Sequence, residues 1–175
     1  MSPLPLRRPL LLTGSPAAGL SSVAGALAAA RELCAVVEVA DVRAMVRSGA
    51  VQPWRPGAGE DQHRLAAVQA CLLAASFTAA GVEVVLCDVV RGPVGEVYRT
   101  STAAPFVVAL RVPLEVARAR AVGGPLTGPE LDALHAENAA VRDVDAEVDA
   151  TADLPAVVAA VEQLWTAAGT AVPTR

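Results

Sequence analysis

The chain has 175 residues, of which 54% are hydrophobic and 18% charged, with a formal net charge of −4. That composition supplies a substantial core and excludes a disordered chain. The acidic balance and the 3% aromatic content argue against a nucleic-acid partner, which needs a basic face or stacking platforms, and no apolar run approaches the ~18 residues of a membrane span.

The first element is read from "LRRPLLLTG". Basic residues before an apolar run suggest a secretory signal, but the run ends at Thr13-Gly14, short of the roughly 7–15 residues such a signal requires. We read 9–13 as a strand. Further strands are expected at 35–39, 82–90, 105–112 and 146–151. The first four runs are largely continuous and apolar, as in a sheet covered on both faces. Helices are expected between them at 20–32, 42–47, 61–80, 114–121, 129–142 and 154–168. Thr127 with Glu130 forms a capping box, Asp153 caps the last helix, and Gly81 stops the long middle one. Strands alternating with helices call for one α/β domain over 1–175 with a parallel sheet. Residues 48–60 and 122–128 are the long irregular stretches, the first a candidate substrate-side loop.

Cys34, Cys71 and Cys87 are dispersed and odd in number, which reads as reduced, mostly buried thiols in a cytoplasmic protein, without a cysteine-based metal site. All 14 basic residues are arginine. Lysine Schiff-base chemistry is therefore excluded.

The stretch "GSPAAGLS" (14–21) has the spacing of a phosphate-binding loop, G-x-x-x-x-G-K-[ST], between a predicted strand and a predicted helix. Such a loop turns successive backbone N–H groups toward one point at the positive end of a helix dipole. Ser21 stands where a hydroxyl ligates Mg²⁺, and Leu20 where the motif has lysine. With no lysine in the chain, a cation on bound phosphate must come from arginine, a metal ion or the N-terminal amine.

Carboxylates and arginines come next. Asp88 ends the run "VVLCD", where it suits the Mg²⁺ shell opposite Ser21 or the orientation of an acceptor hydroxyl; a turn cap is the alternative. "EVADVR" places Asp41 and Arg43 just after the second strand, a general base and an anion-binding group respectively, or a helix cap and a solvated arginine. Arg118 and Arg120 precede the second glycine-rich loop and point to roughly opposite sides of a helix. His63 and His135 show no metal-ligand spacing and read as ordinary exposed histidines. Trp54 either lines a pocket or anchors its loop.

The motifs "TGSPAAGLSS", "VADVRAMVRSG", "VEVVLCDVV" and "LRVPLEVARARA" together resemble the small P-loop kinases, especially the bacterial small-molecule kinases similar to chloramphenicol phosphotransferase. The resemblance spans nearly the whole chain. It implies a three-layer, nucleotide-kinase-like P-loop fold with a five-stranded parallel sheet, moving the γ-phosphate of ATP, with Mg²⁺, to a small hydroxylated acceptor. It assigns the phosphate cradle to Gly14, Ser15, Pro16, Ala17, Ala18, Gly19, Leu20, Ser21 and Ser22, and Mg²⁺ to Ser21 and Asp88. It further assigns the base to Asp41, the acceptor contact to Arg43 and the lid cation to Arg118 or Arg120. Leu20, Ala40 and Cys87 depart from the pattern, each removing a charged group. Three functions stay open: a phosphotransferase in which arginine takes lysine's place, a non-catalytic nucleotide- or phosphate-binding descendant, or another reaction on the inherited fold.

Overall fold

The computed structural model describes residues 6–169. Five parallel strands lie in the order β2-β3-β1-β4-β5: β1 Leu10–Gly14, β2 Cys34–Glu38, β3 Glu83–Asp88, β4 Phe106–Arg111 and β5 Ala146–Asp149. The helices are α1 Leu20–Ala29, α2 Val39–Ala44, α3 Ala58–Ala79, α4 Val94–Thr100, α5 Leu114–Arg120, α6 Gly128–Ala139 and α7 Leu154–Ala167.

Alternation along the strands sends side chains into two cores. Leu10 and Leu12 join Val85, Val108 and Leu110 beneath α1 and α7. Leu11 faces the other way, with Val84, Leu86 and Val107 beneath α3 and α4. The capping box of α6 forms as the sequence predicts, Thr127 and Glu130 bonding reciprocally. Asp153 accepts from the Ala156 N–H at the start of α7. Gly81, with φ 85°, follows α3.

Elements α2, α4 and β3 depart from the sequence reading, α2 running Val39–Ala44 where 42–47 is expected. Helix α4 occupies residues to which the sequence reading assigns no element; Val94, Val97 and Tyr98 bury one side of it, a helical spacing too short to stand out. Strand β3 ends at Asp88 instead of running to 90, because the Val90 N–H leaves the ladder and donates to Thr13 Oγ1 at 3.1 Å. Asn138 Nδ2 of α6 donates to that same hydroxyl and to Val90 O. The Arg111 guanidinium donates to the carbonyls of Asn138 and Val141. Strand β1, the turn after β3, and α6 are thereby fixed to one another at the carboxyl edge of the sheet.

At the opposite edge, Trp165 is 0% exposed and lies under two guanidinium groups, Arg31 at 4.2 Å and Arg7 at 5.3 Å from the ring centroid. Cation–π attraction of this kind favours desolvated arginine. Both arginines also reach Glu83 and Glu162. Burial pushes the Glu162 carboxyl up, but the bonds and charges of Arg31 and Arg7 outweigh it and hold the group below its ordinary value of 4.5. A depressed carboxyl contributes stability above its unfolded value and loses it as pH falls through the native one. Screening at this partly exposed site limits the gain to about 1 kcal/mol. Glu162→Gln is expected to lower the unfolding free energy by about that much at pH 7, and urea titrations should show the difference closing as the pH drops below about 4.5.

Candidate functional site

The carboxyl ends of β2, β3 and β1 lie side by side, Glu38 level with Cys87 and Thr13 level with Asp88. Open parallel sheets form their crevices at this edge, where connections diverge to opposite faces. Here it holds a cavity of about 540 Å³. All nine residues from Ser15 to Ser22 and Gly14 bear on it: 15–22 line it, and Gly14 sets the path of the loop beneath them. A side chain at Gly14 would place Cβ 2.8 Å from Leu110 O and 3.0 Å from Ala18 Cβ, so the loop can close down on the sheet only over glycine. Ala17 (φ 64°) and Gly19 (φ 97°) are left-handed, which curls the backbone into a concave turn ahead of α1. Ala17 holds that conformation at a cost of about 1–2 kcal/mol. Ser15 is 5% exposed and its hydroxyl has no partner among the described residues. A buried hydroxyl left unpaired at the rim of a cavity is a place for a polar ligand atom.

Leu20 folds back over this loop. Its Cδ2 lies 3.3 Å from the point a Gly14 Cβ would occupy, and it packs against the core between the sheet and α1. Its methyl groups thus complete an apolar layer under the loop.

Asp88 sits at the centre of a buried polar group. Its carboxylate accepts from Tyr98 Oη at 2.7 Å and lies 2.8 and 2.9 Å from His63 Nε2. His63 is 4% exposed, which corrects the expectation of an exposed histidine. The physical reason is helical phase: the buried side of α3 is Gly59, His63, Ala66, Ala67, Ala70, Cys71 and Ala74, and His63 is in step with that alanine stripe. Burial, followed by the charge of Asp88 and its hydrogen bond, pushes the Tyr98 hydroxyl well up. Burial and then the Glu38 carboxylate push the Cys87 thiol up as well.

Of the described basic residues, Arg43 and Arg91 border the cavity. Arg91 is 8% exposed and already engaged, by Glu137 at 2.8 Å and by Pro53 O. Arg43 makes one long contact, 3.4 Å to Val51 O. Arg118 and Arg120 lie elsewhere. Arg118 is exposed and paired with Asp132, whose carboxylate holds its guanidinium charged, and Arg120 donates to Ala150 O. Asp41 is also off the cavity. Helix α2 starts at Val39 directly from the strand, so Val39, Ala40 and Arg43 share the cavity side, and Asp41, two positions from both Val39 and Arg43, points outward. The strand-end carboxylate that does border the cavity from β2 is Glu38. The N-terminal amine lies outside the described residues. Trp54 meets both expectations: it lines the cavity and its Nε1 donates to Glu130 at 3.1 Å. Among the described residues no group of three His, Cys, Asp or Glu side chains could hold a metal ion, and no helix is long and apolar enough to cross a membrane.

No protein-family model matches the chain, and no curated protein matches it. Solved structures do. A sugar kinase from Janibacter sp. HTCC2649 superposes with a TM-score of 0.73 at 16% identity, covering 97% of this chain and 99% of that one. The tunicamycin resistance protein of Deinococcus radiodurans gives 0.68 at 15% identity, covering 95% and 100%. Shikimate kinase from Aquifex aeolicus vf5 gives 0.62 at 16% identity, covering 90% and 96%. The chain has the P-loop kinase fold.

Of the residues that line this cavity, the sequence motifs point to the loop and Asp88, give no signal for Glu38 or Arg91, and read His63 as exposed. The alanine stripe on α3 was the available signal for His63. Arg91 carried none, since a single arginine after a strand has no pattern. Gly14→Ala tests the geometry of the P-loop directly. The added Cβ meets backbone oxygen and cannot be relieved by a rotamer change, so a loss of about 1–3 kcal/mol in thermal or denaturant unfolding is expected.

Proposed function

We propose that the protein transfers the γ-phosphate of ATP to a small hydroxylated molecule. The observation that carries this reading is the loop of residues 14–21, a curled backbone with an unpaired buried Ser15 hydroxyl, opening onto the same cavity as the ends of β2 and β3. A concave turn at a helix N-terminus and an orphan hydroxyl suit the oxygens of a polyphosphate. The sugar and shikimate kinases that share the fold are named for hydroxylated acceptors, and the cavity has room beyond the loop for one. Trp54, Leu126 and Leu134 give it an apolar wall, and Arg43 and Gln52 a polar one.

The residues present fit ATP through the loop amides, Ser15 and Ser21. They fit Mg²⁺ in a limited way. Ser21 offers an exposed hydroxyl in the first turn of α1, and Asp88 already receives Tyr98 and His63, which suits contact through water. Mg²⁺ commonly keeps several waters and takes most other ligands from phosphate. When bound, the ion would neutralise phosphate charge that arginine alone meets here. Arg43 is the guanidinium with capacity to spare.

A second reading is a nucleotide- or phosphate-binding protein without transfer. It is favoured by Leu20, whose half-buried side chain packs against the core, and by Arg118 and Arg120, both committed outside the cavity. Calorimetric titration with MgATP and a coupled assay of ADP release over a panel of sugars and cyclic polyols separate the two. Transfer above the rate with water supports the first reading; tight binding without transfer supports the second, and failure to bind MgATP or tripolyphosphate overturns both. Leu20→Lys restores a charge-assisted bond worth about 1.5–3 kcal/mol, so MgATP affinity is expected to rise roughly 10- to 100-fold.

A further inference from the structure

We infer that the outer face of α3 is the seam of a homodimer, a second copy of this chain laying its own α3 antiparallel along it. The inference does not depend on the phosphotransfer reading, since it concerns a surface away from the cavity.

Helix α3 has 22 residues and is therefore about 33 Å long. Its buried side, from Gly59 and His63 to Ala74, lies over the sheet between α2 and α4. A surface helix ordinarily turns charged residues to the opposite side. Here that side carries Leu65, Val68, Leu72, Ala75 and Ala79, spaced by three and four residues in turn, and no charged residue stands anywhere from Leu65 to Val82. Leu65 is 50% exposed, Val68 40% and Leu72 62%, and Leu73 and Phe77 extend the exposed apolar surface along one flank. Met45, Val122 and Leu154 are exposed too, but each on a different segment, as is ordinary for a protein surface.

Three features select a second copy as the occupant. The first is spacing. Apolar positions that recur every 3.5 residues keep one seam facing a partner helix, the condition for knobs-into-holes packing at a crossing angle of about 20°. The second is self-complementarity. A two-fold axis at the level of Ala70 sets Val68 of each copy opposite Leu72 of the partner subunit, and Leu65 opposite Ala75 of the partner subunit, so bulky side chains meet smaller ones. Asp61 and Arg64 fall opposite alanine and serine at the ends of the seam, and no like charges meet. The third is area. With Gln69, Ser76 and Ala79, which are also exposed, the face offers on the order of 700 Å² per copy, against the ~800 Å² per partner of a standard interface.

Charge argues for the same occupant. Helices that lie on anionic lipid carry lysine or arginine along their polar side, whereas Arg64 is the one arginine of α3 and the chain has a net charge of −4. Two such chains repel, and an uncharged face is where they approach with least opposition. His63, the residue of α3 that borders the cavity, is on the opposite side of the helix, so the seam takes nothing from the cavity wall.

Sedimentation equilibrium of the full chain tests the seam. The wild type is expected to be dimeric at about 10–100 µM. Leu72→Glu brings two carboxylates close to the axis and is expected to weaken the dimer about 100-fold or more, with an unchanged circular dichroism spectrum because Leu72 is exposed. Leu65→Gln is expected to weaken it about 10-fold, and it decides the matter should Leu72→Glu fail to fold. Leu154→Glu, on α7 across the sheet, is expected to stay dimeric. On mild oxidation, Leu65→Cys mixed with Ala75→Cys is expected to form a disulfide-linked pair. Leu65→Cys alone, with its two copies about 15 Å apart along the seam, is expected to form none. A wild type monomeric up to about 1 mM overturns the proposal, and binding of that monomer to phosphatidylserine vesicles would give the face to lipid instead. A dimer that survives both Leu72→Glu and Leu65→Gln, or that Leu154→Glu dissociates, also overturns it. Self-linking of Leu65→Cys in place of the mixed pair overturns the antiparallel seam.

Discussion

Everything at the candidate site depends on how closely the chain passes over itself where β1 ends. Gly14 lies against Leu110 O of the neighbouring strand, in space too small for a single methyl group, and the following residues use that closeness to bend over the sheet edge. The left-handed turns at Ala17 and Gly19 follow from it. One of them occurs at an alanine, where L-residues resist it, and such strain persists only when the surroundings over-determine it. Thr13, one residue earlier, adds the second constraint. Its buried hydroxyl receives both the Val90 N–H and Asn138, so the path of the loop and the path of the chain after β3 share one anchor.

The second organising feature is electrostatic. The cavity places carboxylates from two adjacent strands, Glu38 and Asp88, beside a loop suited to anions. Of the two acids, Asp88 has neighbours that meet its charge. Asp88 is held by a ring nitrogen and a phenol, and the buried guanidinium of Arg91 stands nearby, itself balanced by Glu137. Glu38 neighbours Cys87, whose thiol burial and then that carboxylate push up. The site is thus electrically compact, with its cations fixed by neighbouring elements and only Arg43 loosely held.

Much of this was legible in the sequence. Alternating apolar runs placed all five strands, and the reciprocal pair Thr127 and Glu130 placed the start of α6, because these signals are local. The glycine spacing located the loop for the same reason. What escaped depends on phase and on partners distant in the chain. Asp41 and Glu38 are three residues apart, and choosing between them required knowing that α2 begins without an intervening loop. His63 required reading its helix as buried by alanines, small residues that give a weak amphipathic signal. Arg91 and Asn138 are defined by bonds across 38 to 125 positions, which no local pattern encodes.

The placement of the two indoles has one further consequence. Trp165 is sealed between arginines at the far edge of the sheet, whereas Trp54 stands in the cavity wall, tied to α6 through Glu130. Their environments differ in polarity and in distance from anything the cavity takes up. Intrinsic fluorescence therefore divides into a constant contribution from the sealed ring and a responsive one from the wall, giving the unmodified protein an optical gauge of its own occupancy.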